Sequence, residues 1–226
     1  MGELVLRHWM QDTVEWQNWG WNALTVSFIA TVAFTVFQGW GVWKQNETIR
    51  MRRSGESVSV LLFAYFSCVF FSFLYYGFIV RSIAAACNGL LGFLHVLVLA
   101  SLWRFKGFTS TEKVVVAALP LMIVAMATVP WKNTLLLLIM AGSLLPLAQQ
   151  PIEMWRNKSA GAVDMRFVSI FMASTIFWTI YAFAIDNWVL KVINPSALAI
   201  LVVTSSLWYR YRRPGTLPAS GPQIGI

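Results

Sequence analysis

The chain has 226 residues, of which 58% are hydrophobic and only 12% are charged, and its formal net charge is +8. A soluble domain carries about twice that share of charged residues, so the composition excludes an ordinary soluble protein and indicates an integral membrane protein. The basic residues lie in short loops beside apolar runs, which is typical of membrane orientation signals rather than of nucleic-acid binding.

The first 20 residues differ in character from the rest of the chain. They carry acids where a secretory signal would have a basic start, and they lack an apolar core. Tryptophans recur here at a density that suits a membrane interface: Trp9, Trp16, Trp19 and Trp21. We expect an extracytoplasmic lead-in segment over residues 1–20.

Seven uncharged runs of 18 to 28 residues follow along the chain. A helix needs roughly 20 apolar residues to cross a bilayer, whereas barrel strands have ~10 residues of alternating character. The runs therefore predict an all-α membrane protein with seven transmembrane helices. They lie between Glu15 and Lys44, Glu56 and Arg81, Arg81 and Arg104, Lys113 and Lys132, Lys132 and Glu153, Arg166 and Asp186, and Lys191 and Arg210.

The placement of lysine and arginine predicts the orientation of these helices. Of the 17 basic residues, 13 fall in loops on one side, and the other side has only Arg7, Arg81, Lys132 and Lys191. Because positively charged loops stay in the cytoplasm, we expect the N-terminus outside and the C-terminus inside.

Two blocks of the chain correspond at a constant offset of 105 residues, Arg52–Phe78 and Asn157–Phe183. Tyr76 meets Tyr181 in this correspondence. Three spans reverse the chain and one more restores its direction, so two parallel three-helix bundles joined by a linker helix (3-1-3) are predicted. The predicted units are the lead-in 1–20, the first repeat 21–105, the linker helix 106–131, the second repeat 132–211 and a cytoplasmic tail 212–226.

Several motifs resemble those of one transporter clan. They are the Lys158-Ser159 pair with nearby Gly161, the pair Asn88-Gly89, the pair Asn194-Pro195 and the ending "LWYRYRR". With the repeat, they make the chain similar to the PQ-loop clan, and within it to the seven-helix SWEET sugar transporters. The resemblance implies a 3-1-3 fold and facilitated sugar transport. The Pro-Gln pair itself is replaced by Gln149-Gln150 in this chain.

Asn88 and Asn194 lie inside apolar runs at corresponding positions of the two repeats. Polar side chains at mid-membrane mark pathways, and parallel repeats would place these two on facing walls. Trp178 and Phe73 also correspond, and an aromatic ring can stack on a sugar while amides bind its hydroxyls. We therefore expect these four residues to bind substrate, with helix–helix bonding of the amides and simple packing of the rings as the alternatives.

His95 and Asp164 are the remaining candidate pathway residues. His95 lies two helical turns after Asn88, and it is either a gate contact or proton carrier, or a neutral histidine bonded to a backbone carbonyl. Asp164 lies at the predicted cytoplasmic mouth, where it either gates or caps a helix.

Candidate hinge residues flank the loop between the fifth and sixth spans. Proline removes a backbone hydrogen bond and kinks a helix, and a helix that bends can open each mouth in turn. No proline precedes Pro120, so the sequence leaves open whether the first repeat bends as well or whether the second half does most of the bending. The predicted hinge and gate positions are Pro146, Gln149, Gln150, Pro151 and, in the first repeat, Gln38.

The sequence predicts an alternating-access facilitative transporter of a small neutral polar solute, with a mono- or disaccharide as the leading substrate. A proton-coupled amino-acid or vitamin transporter of the same clan is the alternative, and a cargo or ligand receptor is a weaker one. No catalytic motif accompanies His95, so we expect neither an enzyme nor a metal or other cofactor. The expected surroundings are a plasma or bacterial inner membrane, with an endomembrane and a homo-oligomer left open.

Overall fold

The computed structural model describes residues 8–55, 58–160 and 165–211, apart from the side chains at positions 146, 166 and 167. The structure is 84% helical, and the described part contains no strand. The prediction of an all-α protein is thus confirmed. The predicted tail 212–226 and Asp164 lie outside the described residues.

Among the described residues, six helices are long and apolar enough to cross a membrane, as expected of a membrane protein. The sixth predicted span, between Arg166 and Asp186, contains a shorter apolar helix, Val168–Ala184. The elements are α1 (Val14–Gln17), α2 (Ala23–Arg52), α3 (Val60–Ile79), α4 (Ile83–Gly89), α5 (Leu91–Phe105), α6 (Ser110–Ala118), α7 (Leu121–Thr128), α8 (Lys132–Asn157), α9 (Met165–Ala184) and α10 (Trp188–Tyr211). Helices α4 and α5 together form one span, Ile83–Phe105, and α6 and α7 another, Ser110–Thr128.

Local capping explains where several of these helices begin. Asn22 accepts a hydrogen bond from the Thr25 amide at 2.9 Å and starts α2, and Ser59 caps α3 in the same way. Thr109 and Glu112 form a reciprocal capping box at the start of α6. These polar side chains bond amides that a helix leaves unpaired, so they set the helix boundaries within otherwise apolar sequence.

Helix packing follows the same scheme in the two halves of the chain. Helix α3 packs along α4 and α5, and α2 packs on α5; in the second half α9 and α8 both pack on α10. Contacts between the halves join α2 to α9 and α3 to α8. Small residues permit the closest approaches: a Cβ added to Gly77 would lie 2.5 Å from the backbone nitrogen of Ala86.

Backbone geometry also recurs between the halves. Within the described residues, four non-glycine residues have a positive φ: Arg53 (48°), Arg81 (53°), Lys158 (50°) and Asp186 (54°). Arg53 and Lys158 are 105 positions apart, and so are Arg81 and Asp186. A left-handed residue ends a helix by turning the chain sharply, so the same turns occur at the spacing of the sequence correspondence.

The buried apolar residues divide between two ends of the bundle. The Glu15 end contains the chain reversals at residues 80–82, 129–131 and 185–187. The basic end contains the end of α2, the start of α3, the turn at residues 106–109 and the end of α8. At the Glu15 end one cluster combines both halves and the linker: Val69, Phe73, Tyr76, Ala84, Ala85, Met126, Leu136, Ile139, Trp178, Tyr181, Ala182, Val189 and Leu190. The cluster at the basic end comes from the first half alone: Ile49, Val60, Val98 and Leu102.

Candidate functional site

The two predicted aromatic contacts, Phe73 and Trp178, lie against each other where the two halves of the chain meet. Phe73 on α3 is 2% exposed and Trp178 on α9 is 8% exposed. Their ring centroids are 5.7 Å apart, with the planes tilted by 60°. The structure therefore brings together two side chains that are 105 positions apart in sequence, one from each half.

Asn88 lies near the end of α4, at the same level as Phe73. Its neighbour Gly89 packs directly against the backbone of Leu74, the residue after Phe73. The half-buried Asn88 amide lies 3.2 Å from the Thr35 hydroxyl of α2, with the Oδ1 position facing it. Thr35 itself is buried and also donates to the Thr31 carbonyl oxygen at 2.8 Å.

Asn194 lies on α10 and bonds directly to the helix that carries Trp178. Its Nδ2 donates to the backbone oxygen of Trp178 at 3.2 Å, and the side chain is buried. This is the helix–helix bond that the sequence left open as an alternative to substrate contact. The bond uses only one end of the amide, so Oδ1 remains for another partner. Pro195 follows within the same helix and lacks the N–H that would bond the Lys191 carbonyl.

Two tyrosines at the Glu15 end form reciprocal hydrogen bonds between the halves. Asn187 Nδ2 donates to the Tyr76 hydroxyl at 2.8 Å, and the Ser82 and Tyr181 hydroxyls are 2.7 Å apart. Ser82 caps α4, and Asn187 accepts from the Leu190 amide at the start of α10. Each tyrosine thus bonds the residue that begins the third span of the other half.

Glu15 is a buried acid that sequence reasoning missed, because it lies outside the predicted spans. It is 1% exposed, and its carboxylate accepts from the Ile83 and Ala84 amides at 3.0 Å each. The Ser82 hydroxyl donates to it at 3.0 Å, and the Tyr181 hydroxyl donates a short hydrogen bond. The carboxylate therefore joins the lead-in segment to both halves of the bundle.

Further contacts fasten the lead-in segment to the same end. Asp12 pairs with Arg81 at 2.9 Å, and the Val14 amide donates to the Arg81 carbonyl at 2.9 Å. Thr13 between them is fully buried, and the Trp9 ring packs on Phe78 with centroids 5.0 Å apart. The residues of each contact are more than 60 positions apart in sequence, so no local sequence pattern predicts these contacts. The segment is therefore docked on the bundle, although its Trp16, Trp19 and Trp21 stay exposed as an interfacial segment requires.

His95 occupies an aromatic pocket rather than the layer of Asn88. Its Nδ1 lies 2.8 Å from the Leu91 carbonyl oxygen, and the side chain is 7% exposed. Three phenylalanines of α3 surround the ring, Phe63, Phe66 and Phe70, with centroid distances of 5.5, 6.2 and 4.9 Å. This geometry favours the neutral, carbonyl-bonded histidine of the two sequence interpretations.

The predicted hinge residues lie toward the basic end. Helix α8 runs without interruption from Lys132 to Asn157, through both Pro146 and Pro151. Pro151 is buried, Gln149 is exposed and Gln150 is half-buried. Across the halves, Gln38 Nε2 lies 3.5 Å from the Ser174 hydroxyl, at the limit of a hydrogen bond. Asp164, the remaining predicted gate, lies outside the described residues.

Phe73, Asn88, Trp178 and Asn194 offer two aromatic rings and two amide groups, and none of the four side chains is a nucleophile or a general base. Aromatic walls with a few amide groups are what a site for a polar, uncharged molecule needs. Within the described part of the chain, no group of three His, Cys, Asp or Glu side chains could hold a metal ion.

Comparisons with known proteins add no relative to this picture. No protein-family model matches the sequence, and no curated protein matches it. The functional interpretation therefore rests on the residues and their geometry.

Proposed function

We propose that the protein is an alternating-access facilitative transporter for a small neutral polar solute, with a mono- or disaccharide as the leading substrate. The observation that carries the proposal is the contact of Phe73 with Trp178 at 5.7 Å, next to the Asn194 amide that bonds the Trp178 backbone oxygen. Rings can stack on the C–H face of a sugar, and amides can bond its hydroxyls. The same groups supply no nucleophile and no general base, so we propose transport and not catalysis.

We further propose that the two halves are parallel three-helix bundles in a 3-1-3 arrangement. Three observations support this arrangement. The left-handed turns recur at a spacing of 105 residues, the helices of each half pack in the same order, and the tyrosine bonds of the Glu15 end are reciprocal. Parallel repeats of this kind place a binding site at their interface near the middle of the membrane.

The Glu15 end faces outward in this proposal, since most lysines and arginines belong to the basic end. A transporter must open each end in turn around a central site. Outward opening then requires the Tyr76–Asn187 and Tyr181–Ser82 bonds and the Phe73–Trp178 contact to separate. The motif resemblance to the PQ-loop clan, and to SWEET transporters within it, supports the same mechanism. We place the protein in a plasma membrane or a bacterial inner membrane.

A proton-coupled amino-acid or vitamin transporter is the second candidate, and one observation favours it. Glu15 is a buried carboxylate that touches both halves, and carboxylates at such interfaces carry protons in many transporters. Glu15, however, is not in contact with the Phe73–Trp178 pair. The contacts described for its carboxylate are hydrogen bonds to the amides at the start of α4 and to two hydroxyls, and these stabilise the fold. We therefore rank uncoupled transport first.

Uptake into liposomes tests the proposal directly. Radiolabelled glucose or sucrose is expected to enter liposomes that contain the purified protein, without any pH gradient, and to equilibrate. Uptake that needs an imposed proton gradient, or that occurs only for amino acids or vitamins, would replace the first candidate with the second. Absence of uptake for the whole panel would overturn both.

The site is tested by Asn194→Ala, with Asn133→Ala as the matched control. Asn194 is buried beside Trp178, whereas Asn133 is exposed at the start of α8. We expect Asn194→Ala to abolish uptake while the protein still elutes as a folded species, and Asn133→Ala to leave uptake unchanged. Full activity of Asn194→Ala would remove Asn194 from the site.

A further inference from the structure

Residues 9–17 of the lead-in segment form a strap that is fastened mainly to the first half of the chain. Asp12 pairs with Arg81 at 2.9 Å, and the Trp9 ring packs on Phe78 with centroids 5.0 Å apart. Phe78 belongs to the last turn of α3, and Arg81 to the turn that joins α3 to α4. The strap would therefore move with the first half if the two halves rotated against each other.

Glu15 is the strap residue that reaches both halves. Its carboxylate accepts hydrogen bonds from the Ile83 and Ala84 amides at 3.0 Å each and from the Ser82 hydroxyl at 3.0 Å, all at the start of α4. The same carboxylate accepts from the Tyr181 hydroxyl of α9, in the second half. Of the strap contacts described here, only this bond crosses between the halves. Both of its side chains are enclosed by protein, with 1% exposed for Glu15 and 0% for Tyr181.

The equivalent tyrosine of the first half is held without an acid. Tyr76 precedes Tyr181 by 105 positions, and its hydroxyl accepts from the Asn187 side-chain amide at 2.8 Å. The Tyr181 hydroxyl lies 2.7 Å from Ser82, which is equivalent to Asn187. It bonds Glu15 as well. Since Tyr76 is as fully buried as Tyr181, burial of a tyrosine at this position does not require an acid. The Glu15 bond is therefore an addition that comes from outside the two corresponding blocks.

We propose that the strap regulates opening of the Glu15 end, and that the hydrogen bond from Tyr181 to Glu15 is its catch. The inference rests on the proposed alternating-access function, in which the halves separate at this end. While the catch is made, the strap ties the second half to the first. When the catch breaks, the strap stays with the first half. A hydrogen bond to a carboxylate is about twice as strong as one between neutral groups, so the catch should change the ratio of open to closed molecules about tenfold.

The separation of the halves can be measured without any solute. Both native cysteines are replaced by alanine, and spin labels are attached after Ile79→Cys and Ala184→Cys, at the exposed ends of α3 and α9. Electron–electron double resonance then gives the distance between the halves at the Glu15 end. A second labelled pair, Met51→Cys with Arg156→Cys, reports on the basic end, where both side chains are exposed. Opening of the Glu15 end should lengthen the first distance and shorten the second, whereas partial unfolding would lengthen both.

Three single substitutions separate the catch from ordinary anchoring of the strap. Tyr181→Phe removes the hydroxyl that bonds Glu15, and Tyr76→Phe removes the equivalent hydroxyl that bonds no acid. We expect Tyr181→Phe to raise the open-to-closed ratio about tenfold more than Tyr76→Phe does. Asp12→Asn is the matched control within the strap, because the Asp12 ion pair joins the strap to the first half alone. We expect Asp12→Asn to leave the ratio unchanged.

A double-mutant cycle identifies the partner of Tyr181. If Glu15 is that partner, Tyr181→Phe should add little opening once Glu15→Ala is present. Tyr76→Phe should add its full effect to Glu15→Ala, because it removes a different bond. Glu15→Gln takes the place of Glu15→Ala if the alanine variant does not fold, since glutamine fills the same space without the charge.

The outcomes separate the strap from the function on which it rests. Equal opening in Tyr181→Phe and Tyr76→Phe, or full additivity of Tyr181→Phe with Glu15→Ala, would overturn the inference. A Glu15→Ala protein of lowered stability that keeps the wild-type distances would also overturn it, because Glu15 would then be an anchor of the fold alone. A Glu15 end that keeps one distance in every variant refutes the strap even if sugar uptake is observed. A protein that opens as described but takes up no sugar refutes the proposed solute and supports the strap.

Discussion

The Glu15 end and the basic end of the bundle are held together by different contacts. At the Glu15 end the core cluster draws on both halves and on the linker, and hydrogen bonds cross between the halves at Tyr76 and Tyr181. At the basic end the described core cluster belongs to the first half alone. One end thus binds the halves to each other, while the other stabilises a single half.

The difference shows how one chain can be both rigid and able to open. Contacts within a half survive when the halves rotate against each other, whereas contacts between halves must break. The protein is therefore held in one state chiefly by its Glu15 end. Substitutions there should change stability and opening, and matched substitutions at the basic end should change little.

The largest effect is expected from Glu15→Ala. Removing the carboxylate leaves two amides and the Ser82 and Tyr181 hydroxyls without their acceptor, and each such loss costs about 1–3 kcal/mol before water enters. We expect a net loss of about 3 kcal/mol, which corresponds to a fall in Tm of roughly 6–12 °C in detergent.

The control for Glu15→Ala is Glu47→Ala at the basic end. Glu47 pairs with Lys44 at 2.6 Å, but both side chains are well exposed, at 39% and 54%. Loss of such a pair should change stability by less than about 0.5 kcal/mol. Equal falls in Tm for the two variants would contradict the comparison between the ends.

A smaller effect is expected where helices approach closely. In Gly77→Ala the new methyl group would meet the Ala86 backbone nitrogen at 2.5 Å, and backbone cannot move aside as a side chain can. Overpacking of this kind costs about 1–3 kcal/mol. Gly41→Ala on α2 meets nothing within 4 Å, and the better helix former should stabilise by up to about 1 kcal/mol. Thermal unfolding of both variants checks the opposite signs, and a Gly77→Ala protein as stable as wild type would refute the close packing of α3 on α4.

The smallest effect is expected at the exposed rim of the Glu15 end. The Lys191 ammonium bonds Asp186 and lowers the pKa of its carboxyl below the ordinary value. The pair therefore contributes fully above the unfolded pKa of about 3.9, and the contribution is lost as the pH falls through the lowered folded value. Asp186→Asn keeps the left-handed turn, since asparagine adopts it readily.

The measurement for Asp186→Asn is the difference in Tm from wild type as a function of pH. We expect a slight deficit at neutral pH that vanishes as the pH falls below the lowered pKa of the Asp186 carboxyl in the folded protein. A deficit that grows on acidification would have the wrong sign and would exclude the ion pair as its cause.

Much of the fold could be predicted because it depends on local sequence. Uncharged runs of 18 to 28 residues are stable in a bilayer as helices. The membrane interior offers no hydrogen-bond partners to backbone N–H and C=O groups, so these groups must pair within the helix. The correspondence at 105 residues anticipated that Phe73 and Trp178 are equivalent, and their side chains meet in the structure. Asn88 and Asn194 were matched by extending this correspondence with a slip of one residue, and nothing in the structure tests their predicted role.

The tertiary structure alone decided which polar groups are joined. Glu15 is 67 positions from Ser82 and 166 from Tyr181, and in sequence it is one acid in a tryptophan-rich lead-in. Thr35 and Asn88 are 53 positions apart, and their contact joins α2 to α4. The apolar runs specify the length of each helix and its location in the membrane. They can do so because the hydrophobic effect is not directional and acts on all apolar residues in the same way. Hydrogen bonds are directional and short, so their pairing depends on helix rotation and depth, which are set when the helices pack.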